Sequence, residues 1–166
     1  MIVTFLFFLF LLLENLLLPA LVGPRSFLIV PLFVFAIVVY GNNTKLRLIQ
    51  AIVFLIITEM FSASGFGDMI LPFLIVIALY WWTNSFLDIK LTLRESGVLA
   101  SFLGGAFFLS LLAFLFSYAF LFLQLSYSFL EAWQMVIILI KTSVYQIGGW
   151  ALAFVIIFKY VVFQKK

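Results

Sequence analysis

The fold is decided by residues 97–124, which read GVLASFLGGAFFLSLLAFLFSYAFLFLQ and contain no acidic or basic residue. An apolar run of about 18 residues or more is typical of a helix that crosses a membrane. Comparable apolar runs, separated by polar or charged residues, lie at 2–22, 26–40, 46–61, 69–87 and 142–163, and a shorter run at 129–140 either spans the membrane or lies at its interface. The pattern predicts an all-α fold, a polytopic membrane bundle of about six short helices.

The composition agrees with this prediction. Hydrophobic residues make up 67% of the chain and charged residues 9%, against roughly half and a quarter in an ordinary soluble domain. At about 20 residues for each crossing, the chain accommodates about five or six passes and no further soluble domain. We therefore expect one transmembrane domain over residues 1–166, and because Glu14 interrupts the first run, we expect that run to be a retained helix rather than a signal sequence.

The loop charges orient this bundle. Basic residues fall in the loops at 41–47 and 88–96 and in the C-terminal tail, whereas the loop at 62–68 and the region of Glu131 carry only acidic ones, with Arg25 as the exception. Since cytoplasmic loops are enriched in Lys and Arg, we expect a multi-pass protein of the bacterial inner membrane with both termini in the cytoplasm. The basic residues form no long cluster, so the net charge of +3 does not indicate nucleic-acid binding.

The chain contains neither His nor Cys. It therefore lacks the commonest metal ligand and general base, and it lacks any thiolate nucleophile or disulfide. An intramembrane enzyme would have to rely on a few scattered acids. We expect a protein that is not an enzyme and that holds neither a cofactor nor a metal.

Two charged residues interrupt apolar runs. Glu14 lies in a run with no other charge, where a charged group costs about 2.5–3.5 kcal/mol on insertion scales. We expect it to face a partner or the bundle interior; the alternative is that it is neutral or reaches the outer surface. Lys141 either marks a bend near the membrane surface or pairs with Glu14 or Glu59.

Small residues line the fifth predicted helix at four-residue intervals, at Gly97, Ser101 and Gly105. Such a stripe allows another backbone to approach closely. The approaching helix belongs either to this chain or to another subunit. If it belongs to this chain, Gly148-Gly149 is a candidate for the complementary surface.

Residues 59–67 read EMFSASGFG. An acid at a helix end followed by small residues predicts a tight outer turn, in which glycine takes positive φ and serine satisfies backbone groups. The candidate packing or partner residues of this turn are Glu59, Ser62, Ser64, Gly65 and Gly67.

This turn also carries a resemblance. The pattern acid-x-x-Ser-small-Ser-x-x-Gly is similar to that of MreD, the small rod-shape-determining membrane protein of the bacterial cell-elongation machinery. A first hairpin containing Pro24 and Pro31 and a basic tail agree with it. The chain departs from the family in having Glu59 where Asp is usual and Leu55 where Gly is common.

The resemblance implies a non-catalytic scaffold and regulator. It would bind an MreC-like bitopic protein and act on a peptidoglycan glycosyltransferase and transpeptidase pair, in a fold resembling the substrate-binding components of energy-coupling transporters. The alternative function is such a component itself, binding a vitamin. Against that alternative, the first run is rich in Leu and Phe, without the small-residue stripe that commonly docks the energising partner.

Overall fold

The computed structural model describes residues 2–19, 28–41, 44–61, 67–87, 98–124 and 128–162. All regular structure in these ranges is helical, so the all-α prediction is confirmed. The helices are α1 (Ile2–Leu12, continued by a π-helical turn at Leu13–Leu17), α2 (Ile29–Tyr40), α3 (Thr44–Phe61), α4 (Ile70–Leu87), α5 (Val98–Gln124) and α6 (Phe129–Ile156, continued by a π-helical segment at Ile157–Val162).

The C-terminal part of the chain differs from the prediction. We expected separate segments at 129–140 and 142–163, but α6 passes through Lys141 without a break. Lysine is a good helix former, and the neighbouring Thr142 hydroxyl donates to the Ile138 carbonyl oxygen inside the helix (2.9 Å). Lys141 and Thr142 therefore lie inside one continuous helix and do not mark its end.

Within the described ranges, two helices are long and apolar enough to cross a membrane, at Ala100–Leu123 in α5 and at Phe129–Lys159 in α6 and its π-helical continuation. The apolar helices at Ile2–Leu17, Ile29–Tyr40 and Ile70–Phe86 are shorter. At 1.5 Å per residue, α2 is about 18 Å long, well below the roughly 30 Å of a bilayer core.

The shortest of these helices, α2, is the centre of the fold. Every side chain from Ile29 to Val39 is buried, because α1, α3, α5 and α6 all pack around this helix. The Phe33 ring lies 5.3 Å from the Phe158 ring and 5.7 Å from the Phe154 ring, both in the last helix. A helix apolar on every face is thus explained by burial on every face.

The start of α6 lies across the end of α5. The Tyr118 ring contacts Phe129 at 5.7 Å and Trp133 at 6.0 Å, whereas Gly105 packs against Val155 further along the same pair of helices. Between these contacts α6 advances by about 33 Å or more and α5 by only about 20 Å. The axes of α5 and α6 are therefore inclined to each other and do not run side by side along their whole length.

Candidate functional site

Glu59 closes the hairpin formed by α3 and α4. Its carboxylate oxygens accept hydrogen bonds from the backbone N–H groups of Gly67 (2.9 Å), Met69 (2.6 Å) and Ile70 (3.1 Å). These groups precede or begin α4, where an anion satisfies free N–H groups and the positive end of the helix dipole. Glu59 is 4% exposed, so the contact is inside the protein.

The described part of the turn between these helices includes an unusual backbone conformation. Gly67 has φ +95°, in the left-handed region that glycine occupies at little cost. The predicted turn residues Ser62, Ser64 and Gly65 lie outside the described residues.

Glu14 closes the hairpin formed by α1 and α2 in a similar way. It lies in the π-helical turn, and its Oε2 accepts a hydrogen bond of 2.6 Å from the Val30 N–H in the first turn of α2. The chain enters α2 through Leu28, which has φ 53°; this is strained for a residue with a branched side chain. Glu14 thus contacts the start of α2, the next helix of its own chain.

The two acids form equivalent contacts, each reaching from the first helix of a hairpin to the start of the second. We call these contacts the Glu14 clasp and the Glu59 clasp, and the end of the molecule where they lie the clasp end. A hydrogen bond to an ionised carboxylate is about twice as strong as a neutral one. Sequence reasoning identified both acids as unusual but did not predict this shared role, because the partner is backbone and leaves no side-chain signature.

A cavity of about 230 Å³ lies between the two clasps. Glu14 and Val30 line one side of it and Met69, whose N–H belongs to the Glu59 clasp, lines another. Ser117 of α5 and Leu139 of α6 complete the wall. Thr58 of α3 also lines it, so the cavity borders α1, α2, α3, α5 and α6 and the turn that precedes α4.

The small-residue stripe of α5 faces this chain. The Ser101 hydroxyl accepts a hydrogen bond from Lys159 Nζ. A Cβ added at Gly105 would overlap the Tyr40 hydroxyl and lie 3.1 Å from Val155 Cγ2. The described part of the stripe thus packs within the molecule, while Gly97 lies outside the described residues.

Gly148 and Gly149 are not the complementary surface. A Cβ at either position would meet no atom within 4 Å. The surface that approaches Gly105 is instead made of the larger residues Tyr40 and Val155, because one small partner is enough for close packing.

Lys141 is exposed on the surface of α6. The structure shows no ion pair between it and Glu14 or Glu59, whose carboxylates are held by the starts of α2 and α4. The suggested pairing of Lys141 with either acid is therefore not formed.

The described residues contain no group of three or more His, Cys, Asp or Glu side chains that could hold a metal ion. Comparison with known proteins finds no protein-family model, no curated protein and no solved structure that matches this chain. Its function has to be inferred from its own residues.

Proposed function

We propose that this chain is a non-catalytic, multi-pass subunit of the bacterial inner membrane that holds a single-pass partner on the outward face of α6. In the cell-elongation machinery implied by the MreD resemblance, this partner is an MreC-like bitopic protein that connects the subunit to the peptidoglycan glycosyltransferase and transpeptidase pair. Both termini are cytoplasmic in this arrangement, and the clasp end faces the outside.

One observation carries the proposal: the longest helix is the least enclosed. Only 17% of the spanning window in α6 is buried, against 39% in α5. One continuous exposed face runs along it at helical spacing, which we call the outward stripe, formed by Gln134, Ile138, Lys141, Tyr145, Gly149 and Leu152.

The outward stripe combines polar and small residues with apolar ones. Tyr145 is 91% exposed, and Lys141 and Gly149 are exposed one turn to either side of it. Within the part of the chain that the structure describes, neither Lys141 nor Tyr145 has a side-chain hydrogen bond. Polar groups on a spanning helix are costly unless they reach a partner or the aqueous interface, and an open glycine lets a second helix approach.

Other candidate surfaces are already occupied within the chain. Glu14 and Glu59 hold the starts of neighbouring helices, and Ser101 and Gly105 pack against α6 and α2. Among the described residues, the outward stripe is a face with polar and small residues together that no other helix covers.

The stripe also indicates the chemistry of its partner. Lys141 lies about 27 Å along the helix from Lys159, close to one bilayer thickness, so the two lysines mark opposite borders of the spanning part. A partner helix with an acid near its outer end would pair with Lys141. Small or β-branched residues one turn deeper would pack beside Tyr145 and Gly149.

Co-purification tests this proposal. The tagged chain and an MreC-like protein are expressed together and isolated in mild detergent. We expect the partner to be retained by the unchanged chain and lost in Gly149→Trp, because a Cβ at Gly149 has free space in the chain itself but the indole would block a docked helix.

The matched control is Leu103→Trp, at a residue 58% exposed on α5. Equal retention in the two variants would exclude the outward stripe as the docking face. If an ATPase module were recovered instead of an MreC-like protein, the vitamin-transporter alternative would replace the proposal.

A further inference from the structure

The polar side chains in the wall of the cavity between the clasps are Glu14, Asn15, Thr58 and Ser117, and acceptor atoms outnumber donors among them. Asn15 Nδ2 donates to the Leu11 carbonyl oxygen (3.0 Å). Thr58 Oγ1 donates to the Phe54 carbonyl oxygen (2.8 Å), and Ser117 Oγ donates to the Ala113 carbonyl oxygen (2.9 Å). A hydroxyl that has used its only proton still has lone pairs, so both groups act as acceptors toward the cavity.

The other polar groups of the wall add to this bias. The Val30 N–H is bonded to Glu14, and Pro31, the next residue of the wall, has no N–H. An ionised Glu14 is an acceptor with more than one lone pair. The wall therefore offers more acceptors than donors, and it favours a guest that supplies donors.

When Glu14 is ionised, its charge is only partly balanced by its clasp. The start of a helix corresponds to roughly half a unit of positive charge. No Lys or Arg within the described ranges forms an ion pair with Glu14. No other charged side chain lines the wall, which includes Phe116, Phe120 and Leu139, so the remaining negative charge favours a cationic guest.

We propose that this cavity binds a primary alkylammonium group, whose N–H bonds are accepted by Glu14, Thr58 and Ser117 and whose chain lies against the phenylalanines. The volume of about 230 Å³ holds about seven groups of the size of water or methylene, at about 30 Å³ each. The site therefore takes a short chain, or the headgroup end of a longer amphiphile such as an ethanolamine lipid.

The first experiment compares four six-carbon probes by thermal unfolding of the full chain in detergent at neutral pH. Hexylammonium is expected to raise the melting temperature in a saturable way. Hexyltrimethylammonium has the same charge without donors, hexanol has a donor without charge, and hexanoate has the opposite charge. Each is expected to give a smaller shift.

Two conservative variants test whether hexylammonium binds in the cavity. Glu14→Gln keeps an acceptor for Val30 but removes the charge, and Ser117→Ala removes one acceptor. We expect hexylammonium to bind about tenfold more weakly to the first and about threefold more weakly to the second. The controls are Glu131→Gln, an exposed acid, and Ser110→Ala, whose hydroxyl donates to the Ala106 carbonyl oxygen outside the cavity; neither should change binding.

The proposal is overturned if hexylammonium and hexyltrimethylammonium shift the melting temperature equally, or if Glu14→Gln leaves the shift unchanged. It is also overturned if binding appears only in Arg25→Gln, since the chain's own Arg25 would then be the cation. Native mass spectrometry from ethanolamine and choline lipid mixtures identifies the source. Selective retention of the ethanolamine lipid assigns a lipid headgroup, and its absence with retained hexylammonium binding assigns a free amine.

Discussion

The helices α2 and α6 are both strongly apolar in sequence, yet their surroundings are opposite. Every side chain of α2 from Ile29 to Val39 is buried, whereas half of the residues of α6 are exposed and its outward stripe includes a tyrosine that is 91% exposed. Neighbouring helices contact α2 on all sides, whereas they contact α6 on one face. Hydropathy alone does not separate a helix that organises a core from one that presents a surface.

The largest expected difference between the two helices is in packing. Phe33→Ala in α2 removes a ring that contacts Phe10, Phe154 and Phe158, so we expect the free energy of unfolding to fall by about 3–5 kcal/mol. Phe129→Ala in α6, at a residue 70% exposed, should change it much less. Unfolding in detergent with increasing denaturant measures both, and equal losses would mean that α2 is not the structural centre.

The starts of α2 and α6 should also respond differently to the loss of the acid that accepts hydrogen bonds from their first N–H groups. Glu14→Leu leaves backbone N–H groups of α2 without an acceptor inside the protein, and we expect a loss of about 2–3 kcal/mol. The N–H groups of α6 are capped by its own exposed pair, Ser128 and Glu131; there Glu131→Ala should cost about 0.5–1 kcal/mol. Hydrogen exchange of the first turn of each helix checks this, and the reverse order would contradict the Glu14 clasp.

Replacing glycine by alanine is expected to have opposite effects on stability where α5 packs against α2 and on the outward stripe of α6. Gly105→Ala places a methyl group against Tyr40 of α2 and should destabilise the chain by about 1–3 kcal/mol. Gly149→Ala on the outward stripe meets no atom within 4 Å, and it should stabilise α6 by about 0.5–1 kcal/mol through helix propensity. Melting temperatures of the two variants settle the sign.

The smallest effect on stability is expected at Tyr145. Tyr145→Ala should change the free energy of unfolding by less than about 0.5 kcal/mol, because the side chain touches little of its own chain. The same variant should reduce retention of a co-expressed MreC-like protein. A large loss of stability with unchanged retention would place Tyr145 in the fold and not at the docking surface.

Much of the fold could be predicted from the sequence, because apolar runs and polar interruptions mark helices well. The predicted ends at Tyr40, Phe61, Leu87 and Gln124 coincide with the helix ends in the structure. The pattern failed at Lys141, where a polar residue was taken for a helix boundary. Nothing in the sequence marked α2 as central, since an all-apolar helix has no distinct face to indicate its neighbours.

The candidate site was less accessible to sequence reasoning. Glu14 and Glu59 stood out as acids in apolar surroundings, but their partners are backbone N–H groups, which every residue except proline carries. The surface that packs against Ser101 and Gly105 depends on which helix lies next to α5, and the sequence does not show this. The predicted complementary surface at Gly148-Gly149 was wrong. Local chemistry identified the unusual residues, while the packing of distant segments determined what they touch.

The two clasps have a consequence for biosynthesis. Each joins residues close in sequence, Glu14 with Val30 and Glu59 with Gly67, Met69 and Ile70, so each hairpin can close as soon as its second helix has begun to leave the ribosome. Loop closure over so few residues costs little entropy. In the multi-pass arrangement proposed above, the hairpins would enter the membrane as pairs with each acid already held by N–H groups, and α5 and α6 would be synthesised onto a half that has already assembled.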